Sequence, residues 1–535
     1  MLKKYFSIFL CLTFLLSCSK KDRSTIDLLE TTSIKPIREI STPTESIITS
    51  ASTESTPDPV SNWEWPRSTP EEQGLSSEIL VEMLEKIHNE DQQIHSILVI
   101  RHGVLVMEAY IHPFNAQTRH EVYSVTKSIT SSLIGIAIAE GLIGEVQTQL
   151  FSYFPSLILD DPAKEEITLE TILSMTSGVE WMEPLHSGLN DHWWVIESED
   201  PLQYFFTPEL IEEPGKDFNY NSGGSHMLSL LIQQASGEKA TDFARKHLFS
   251  PLGISDFAWK SDLSGHSIGG TGLELRTIDM AKIGLLYLNE GKWQGDQIIP
   301  FDWVRDSTQV HSNPSDKLGY GFHWWIRPEG DYYALGWGGQ QIRVFPEQDM
   351  VVVITAGSSG SEMLHNDLID DFILPSVISN QPNPTDEQSK QLLASAINTL
   401  AAPKVTSSTF LPKMAAEVDG KQWLVTGMGE WSMITLHFSD ASEAQFELTM
   451  DGDPMMLKVG LDGIYRVTDS KEYGPIALSG YWESDDTFVL QQQNLHEADR
   501  RTTYITFSDD NALLKSEWFV EPYQEEAEAV LFGYP

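Results

Sequence analysis

In the stretch HEVYSVTKSITSSLIGIAIAEG, residues 120–141, Ser124 and Lys127 stand where a polar segment gives way to an apolar one. A helix beginning near Ser124 places Lys127 one turn on and on the same face, with its amine in reach of the serine hydroxyl. That pair suits acyl transfer, because a hydroxyl attacks a carbonyl only when a base takes its proton. Spacing alone is weak evidence. Ser17 and Lys20 repeat it near the N-terminus, and a serine at a helix start followed by a solvated lysine is the plain alternative.

A second group lies in EEPGKDFNYNSGGSHMLSLLIQQASG, residues 212–237. Pro214 and Gly215 predict a turn, Phe218 an apolar anchor, and NSGG a tight turn before a helix. Tyr220 on such a turn either presents its hydroxyl to a cleft, as a proton carrier or hydrogen-bond relay, or simply packs. Tyr287 also stands two before an asparagine, Asn289, but inside the amphipathic run MAKIGLLYLNEG, so it reads as core. A third group is ALGWGGQQIRVFP. Glycines 336, 338 and 339 at a strand edge allow close approach of a ligand or another backbone, and an amide there can face an oxyanion.

These residues need elements to carry them. Ile129, Leu133, Ile134, Ile136, Ala137 and Ile138 make the segment after Ser124 apolar nearly all round, which predicts a buried helix. Burial disfavours a charged amine, so a lysine there either snorkels out or becomes easier to deprotonate. Leu80, Met83, Leu84 and Ile87 predict an earlier helix. SILVIRHGVLVMEAYI predicts a hairpin turning at His102-Gly103. Helical patterns follow for about two hundred residues, and strands return in YGFHWWIRPEGDYYALGWGGQQIRVFPEQDMVVVITAG, with turns at PEGD and PEQD. Strands from both ends with helices between predict one antiparallel sheet closed by remote segments.

Taken in order, the three groups resemble the serine hydrolases related to class C β-lactamases, penicillin-binding proteins and carboxylesterases. The resemblance runs from about Trp65 to Ile378 and rests on YSVTKS, PGKDFNYNSGGSHMLS, SPLGI at residues 250–254, GGTGLELRTIDMAKIGLLYLNEGKW and GWGGQQIRVFPEQDMVVV. It implies an α+β, β-lactamase-like fold: an antiparallel sheet flanked by helices, plus an all-helical lobe, with the serine in the cleft between. It implies that Ser124 forms an acyl-enzyme while Lys127 and Tyr220 move its proton. It also implies an oxyanion hole built from the Ser124 amide and one amide of the third group, Trp337 or Gly339, with Trp337 preferred.

Two features depart from the family pattern. Ser222 stands where an asparagine helps hold substrate and lysine, and GWGG lacks the cation that pairs with a β-lactam carboxylate. Both departures resemble the carboxylesterase and linear-amide hydrolase branch, so weak or absent β-lactamase activity is expected. Between the first two groups, Trp181, His186, His192, Trp193, Trp194 and Asp191 form an aromatic stretch. It either roofs the cleft, with Asp191 meeting a cationic substrate group, or packs on the helical lobe. No HExxH, GxSxG or phosphate-binding glycine loop occurs, so neither a metal nor another cofactor is implied.

The remaining sequence sets the context. With 78 acidic against 35 basic residues the formal charge is −43, which disfavours nucleic acid and anionic lipid as partners. MLKKYFSIFLCLTFLLSCSKKD reads as an export signal resembling that of bacterial lipoproteins, with Cys18 as the lipidated residue and Cys11 removed; the plain alternative is an ordinary secretory signal cleaved elsewhere. Residues 19–62, rich in Ser, Thr, Pro and Glu, read as a disordered tether. A hydrolase domain over 63–378, a linker with one helix over 379–407 and a smaller all-β domain over 408–535, sandwich or barrel, complete the expected order. The expected protein is a lipid-anchored hydrolase of the bacterial cell envelope acting on a small-molecule or peptide ester or amide. The rivals are a D-amino-acid peptidase or penicillin-binding-protein-like activity, and an inactive surface binding protein.

Overall fold

The computed structural model describes residues 64–90, 93–183, 191–360, 364–384, 387–405, 411–429, 431–438, 442–450, 452–471, 473–520 and 524–532. Cys11, Cys18, the 19–62 stretch and His186 lie outside them.

An antiparallel sheet of eight strands organises the first part. Its spatial order is Val104–Tyr110, Ile94–Arg101, Met350–Ala356, Gln340–Phe345, Tyr332–Gly336, Trp325–Ile326, Leu318–Tyr320 and Ser312–Ser315. The N-terminal hairpin turns at His102 and Gly103, both with positive φ (50° and 71°), which matches the right-handed twist of its strands. Ile97 sits opposite Ile354, so the first strand pairs with one that lies far along the chain.

The strand Ile94–Arg101 is buried along its whole length, because both sheet faces are covered. On one face, Ile97 and Val99 join Leu80, Met83, Leu84 and Ile87 of the helix Ser77–Asn89. On the other, Leu98 and Ile100 join Ile129 and Leu133 of the helix Val125–Ala139. Alternate side chains of one strand thus hold helices on opposite sides. The short helices between Leu169 and Phe206, and the helix Ser222–Ser236, extend the second layer into a helical lobe.

The described residues between 422 and 531 form ten antiparallel-paired strands, and one parallel bridge between Gly460 and Ser479 closes nine of them into a barrel. Closure leaves the strand Arg466–Ser470 outside, paired only to Gly474–Trp482 among the described residues. The core follows a period of two: Ala527, Ala529 and Leu531 point inward while Glu526, Glu528 and Val530 face out. The sequence reading misses Asp453–Gly460 and Gln524–Leu531, whose Met, Ala and Glu are poor strand markers. It also expects a strand at EWFVEP, whereas the strand is Asn511–Trp518 and ends two residues into that motif.

Candidate active site

Ser124 is the N-terminal cap of the helix Val125–Ala139, whose residues from Val125 to Ala137 are all buried. The hydroxyl-bearing residue itself stays partly exposed at the mouth. Lys127 is only 2% exposed, so it does not snorkel. Its Nζ lies 2.9 Å from Ser124 Oγ and donates to the Gly270 carbonyl at 2.9 Å. Among the described residues the amine has no carboxylate partner. A methyl group on Gly270 would come within 3.0 Å of the Ser222 carbonyl oxygen and 3.6 Å of the Lys127 amine, so a side chain here would press on the Ser222 backbone.

The Tyr220 ring lies with its centroid 4.8 Å from Lys127 Nζ and stacks parallel to Trp325 at 6.1 Å. Its support is the helix Ser222–Ser236, capped by Asn221, whose side chain accepts from the Gly224 amide at 2.8 Å. NSGG is therefore the cap and first turn of the helix, not a separate turn before it. The glycines are needed for packing: a methyl group on Gly223 would meet the Trp181 ring at 2.2 Å. Phe218 anchors the approach by packing on Tyr320 and Trp325.

The third group arrives on the strand Tyr332–Gly336 and the turn Trp337–Gly339. A methyl group on Gly336 would sit 2.2 Å from the Val122 carbonyl oxygen and 3.2 Å from the Ser124 amide nitrogen. The strand end is thus in direct contact with the backbone of the serine, and Trp337 is the next residue. Gly339, the other candidate, closes the turn, and its carbonyl oxygen lies 3.2 Å from His365 Nε2.

Residues 87–371, more than half of the chain, match the family model described as Beta-lactamase. The chain belongs to the Beta-lactamase family. It is a hydrolytic enzyme of the β-lactamase-related serine hydrolases. It is 23% identical over 281 residues to a 6-aminohexanoate-dimer hydrolase of Paenarthrobacter ureafaciens, covering 48% of this chain and 71% of that protein. It is 27% identical over 151 residues to a lovastatin esterase of Penicillium rubens, covering 25% and 37%. In fold it is similar to a candidate 6-aminohexanoate-dimer hydrolase of Bacillus anthracis, with a TM-score of 0.51, 21% identity and coverage of 60% and 89%.

In this Beta-lactamase family member, Ser222 is held by a residue the sequence reading does not single out. Its amide donates to Glu183 Oε2 at 2.8 Å and its hydroxyl to Glu183 Oε1, while Trp181 Nε1 donates to Oε2 at 3.0 Å. Asp191, expected as a partner for a cationic substrate group, is occupied within the helical lobe, accepting from the Met182 amide at 2.7 Å and the Tyr204 hydroxyl at 3.1 Å. His192 is buried, and burial pushes its imidazole down to about 4 despite the nearby Glu183. Trp193 and Trp194 are exposed. Tyr287 is core, its hydroxyl 2.8 Å from Ser132 Oγ.

His323 is a second unexpected participant. Its Nδ1 lies 3.0 Å from the Lys127 carbonyl oxygen and its Nε2 3.3 Å from Ser225 Oγ, and its own carbonyl accepts from Ser128 Oγ at 2.6 Å. Burial pushes this imidazole down to about 3, so it is neutral and ties the serine helix to the tyrosine helix. The Gly270 segment has its own brace. The Gly269 amide donates to His226 Nδ1 at 3.3 Å, and His226 Nε2 meets Asp262 at 3.0 Å. Burial opposes ionisation of Asp262, but hydrogen bonds from His226 and His266 hold its carboxyl below the usual range. The only sequence signal for these histidines is a polar ring inside an otherwise apolar run.

Proposed function

We propose that the protein is an exported serine hydrolase that cleaves an ester or amide through an acyl-enzyme on Ser124. The observation that carries this reading is the buried Lys127 amine, 2.9 Å from Ser124 Oγ, with the Tyr220 ring across it and no carboxylate partner among the described residues. An amine at that distance with no carboxylate beside it among the described residues suits a base better than a structural ion-pair partner.

In the proposed reaction the Ser124 Oγ–H proton passes to unprotonated Lys127 as Oγ bonds to the substrate carbonyl carbon. The tetrahedral oxyanion is held by the Ser124 and Trp337 amides. The proton then passes from Lys127, by way of Tyr220, to the leaving oxygen or nitrogen as its bond to carbon breaks. Water adds to the acyl-enzyme, gives its proton to the same pair, and the acid leaves as Ser124 regains its hydrogen. Glu183 holds Ser222 beside this path. Export and anchoring through Cys18 form part of the proposal and are supported by the N-terminal sequence.

The test is labelling of the purified protein with a fluorophosphonate, with the adduct located by mass spectrometry. An adduct on Ser124, absent in Ser124→Ala, is the expected result; a labelled residue elsewhere, or none, defeats the reading. Short-chain esters, linear amides, D-alanyl peptides and a β-lactam then separate the substrate classes. For the anchor, a radiolabelled fatty acid should be incorporated by the wild type and not by Cys18→Ser.

A further inference from the structure

The barrel touches the hydrolase part through the loop joining Thr487–Asn494 to Arg500–Ser508. At its tip, the Ala498 amide donates to the Tyr123 hydroxyl at 3.2 Å. Two residues before Tyr123, the Glu121 amide donates to the His496 carbonyl at 2.7 Å. Ala498 also fills the space beside the third group: a methyl group on Gly338 would lie 2.3 Å from Ala498 Cβ, and one on Gly357 would lie 2.3 Å from the Ala498 carbonyl oxygen. His496 Nδ1 lies 3.2 Å from a Glu274 carboxylate oxygen.

The loop is braced within itself and against the barrel. Gln493 Nε2 donates to the carbonyls of Asn494, Glu497 and Asp499 at 3.2, 3.3 and 3.1 Å. Asp499 Oδ1 accepts from the amides of Arg500, Phe519 and Val520, fixing the loop to the barrel wall. Leu495 packs with Phe114 and Ala477, so the junction is apolar beneath its hydrogen bonds.

Tyr123 precedes the nucleophile and holds φ at 46°, in the left-handed region that a bulky residue enters only when its surroundings hold it there. Gly338, at φ 75°, follows Trp337. The loop therefore touches the neighbour of each of the two amides assigned to the oxyanion.

We propose that the Leu495–Asp499 loop of the barrel is a clamp that fixes the separation of the Ser124 and Trp337 amides, with Tyr123 and Ala498 as positioning residues. The barrel then completes the hydrolase site rather than serving as a detached binding module. This rests on the proposed acyl-enzyme chemistry. Loss of the clamp leaves substrate contacts in place but lets the oxyanion donors drift, so it acts on the transition state more than on binding.

The test uses the full chain with Tyr123→Phe, which removes the acceptor for the Ala498 amide, and Ala498→Gly, which removes the methyl wedged against Gly338. Steady-state hydrolysis of a p-nitrophenyl ester, fluorophosphonate labelling rates and hydrogen exchange are measured on each. Each variant should lower kcat and the labelling rate about tenfold while KM changes less than about twofold. Exchange should quicken in peptides covering 119–126 and 335–340, with thermal midpoints close to wild type. Wild-type rates and exchange in both variants overturn the clamp, as does a loss of rate that only follows the unfolded fraction. Absence of a Ser124 adduct in the wild type defeats the acyl-enzyme reading separately, and the exchange data still decide whether the loop holds the two turns.

Discussion

Lys127 Nζ reaches Ser124 Oγ from one side and the Gly270 carbonyl from the other, at 2.9 Å in both cases. Gly270 thereby aims the amine at the serine, and a burial of 98% keeps solvent from competing for it. Removing the amine without changing the burial of its stem is the sharpest probe of this arrangement. Lys127→Met should retain the fold and lower kcat by about 10³-fold or more, and Tyr220→Phe by about 10²-fold. Ester hydrolysis with circular dichroism as a folding control checks both.

The Glu183 carboxylate accepts two hydrogen bonds from Ser222, one from its amide and one from its hydroxyl. Glu183→Gln keeps the shape but removes the charge, and charge-assisted bonds are about twice as strong as neutral ones. The expected result is a fall in kcat/KM of about tenfold with little change in the thermal midpoint. An unaltered kcat/KM would leave Glu183 a structural residue.

Gly223→Ala sets two effects against each other. Alanine is favoured over glycine by about 1 kcal/mol in a helix interior and by less in the first turn, where Gly223 stands, but its methyl would lie 2.2 Å from the Trp181 ring. Trp181 is buried and tied to Glu183 through Nε1, so it has little freedom to yield, and overpacking of this kind costs about 1–3 kcal/mol. The overlap should win. Urea unfolding should show a net loss of about 1 kcal/mol, with reduced activity because Trp181 and Glu183 move together.

Burial lowers the imidazoles of His120, His192 and His365 to about 4 and that of His323 to about 3. Each is neutral in the fold and binds a proton more readily once unfolded. The unfolded chain therefore takes up more protons between about pH 6.5 and 4, and stability falls as pH drops through that window. For His323 alone the loss by pH 4 is on the order of 3 kcal/mol. His323→Gln should flatten the dependence of the urea midpoint on pH across this range, relative to wild type.

The Trp337–Gly339 turn carries no cation to receive a β-lactam carboxylate, and Glu183 adds a negative charge beside Ser222. Benzylpenicillin should be hydrolysed with a kcat/KM at least about 10²-fold below that for a short-chain ester, a margin consistent with loss of a buried ion-pair contact of about 3 kcal/mol. Absorbance assays on one preparation compare the two.

The elements fixed by neighbouring residues are legible in the sequence alone. The 77–89 and 125–139 helices follow from apolar spacing, the hairpin from His102-Gly103, and the reach of Lys127 to Ser124 from a separation of 3 residues along one helical turn. The amphipathic run around Tyr287 marks it as core, and it is buried there. What only the tertiary structure decided involves partners distant in the chain. Ser222 meets Glu183 across 39 residues, Lys127 meets His323 across 196, and Tyr123 meets Ala498 across 375. Barrel closure at Gly460 and Ser479, and the occupation of Asp191 by Met182 and Tyr204, belong to the same class. Periodicity and turn chemistry act over a few residues and are written in consecutive letters. Contacts such as these depend on the path of the whole chain, and a single glutamate, histidine or alanine carries no local pattern that reveals which remote surface it will meet.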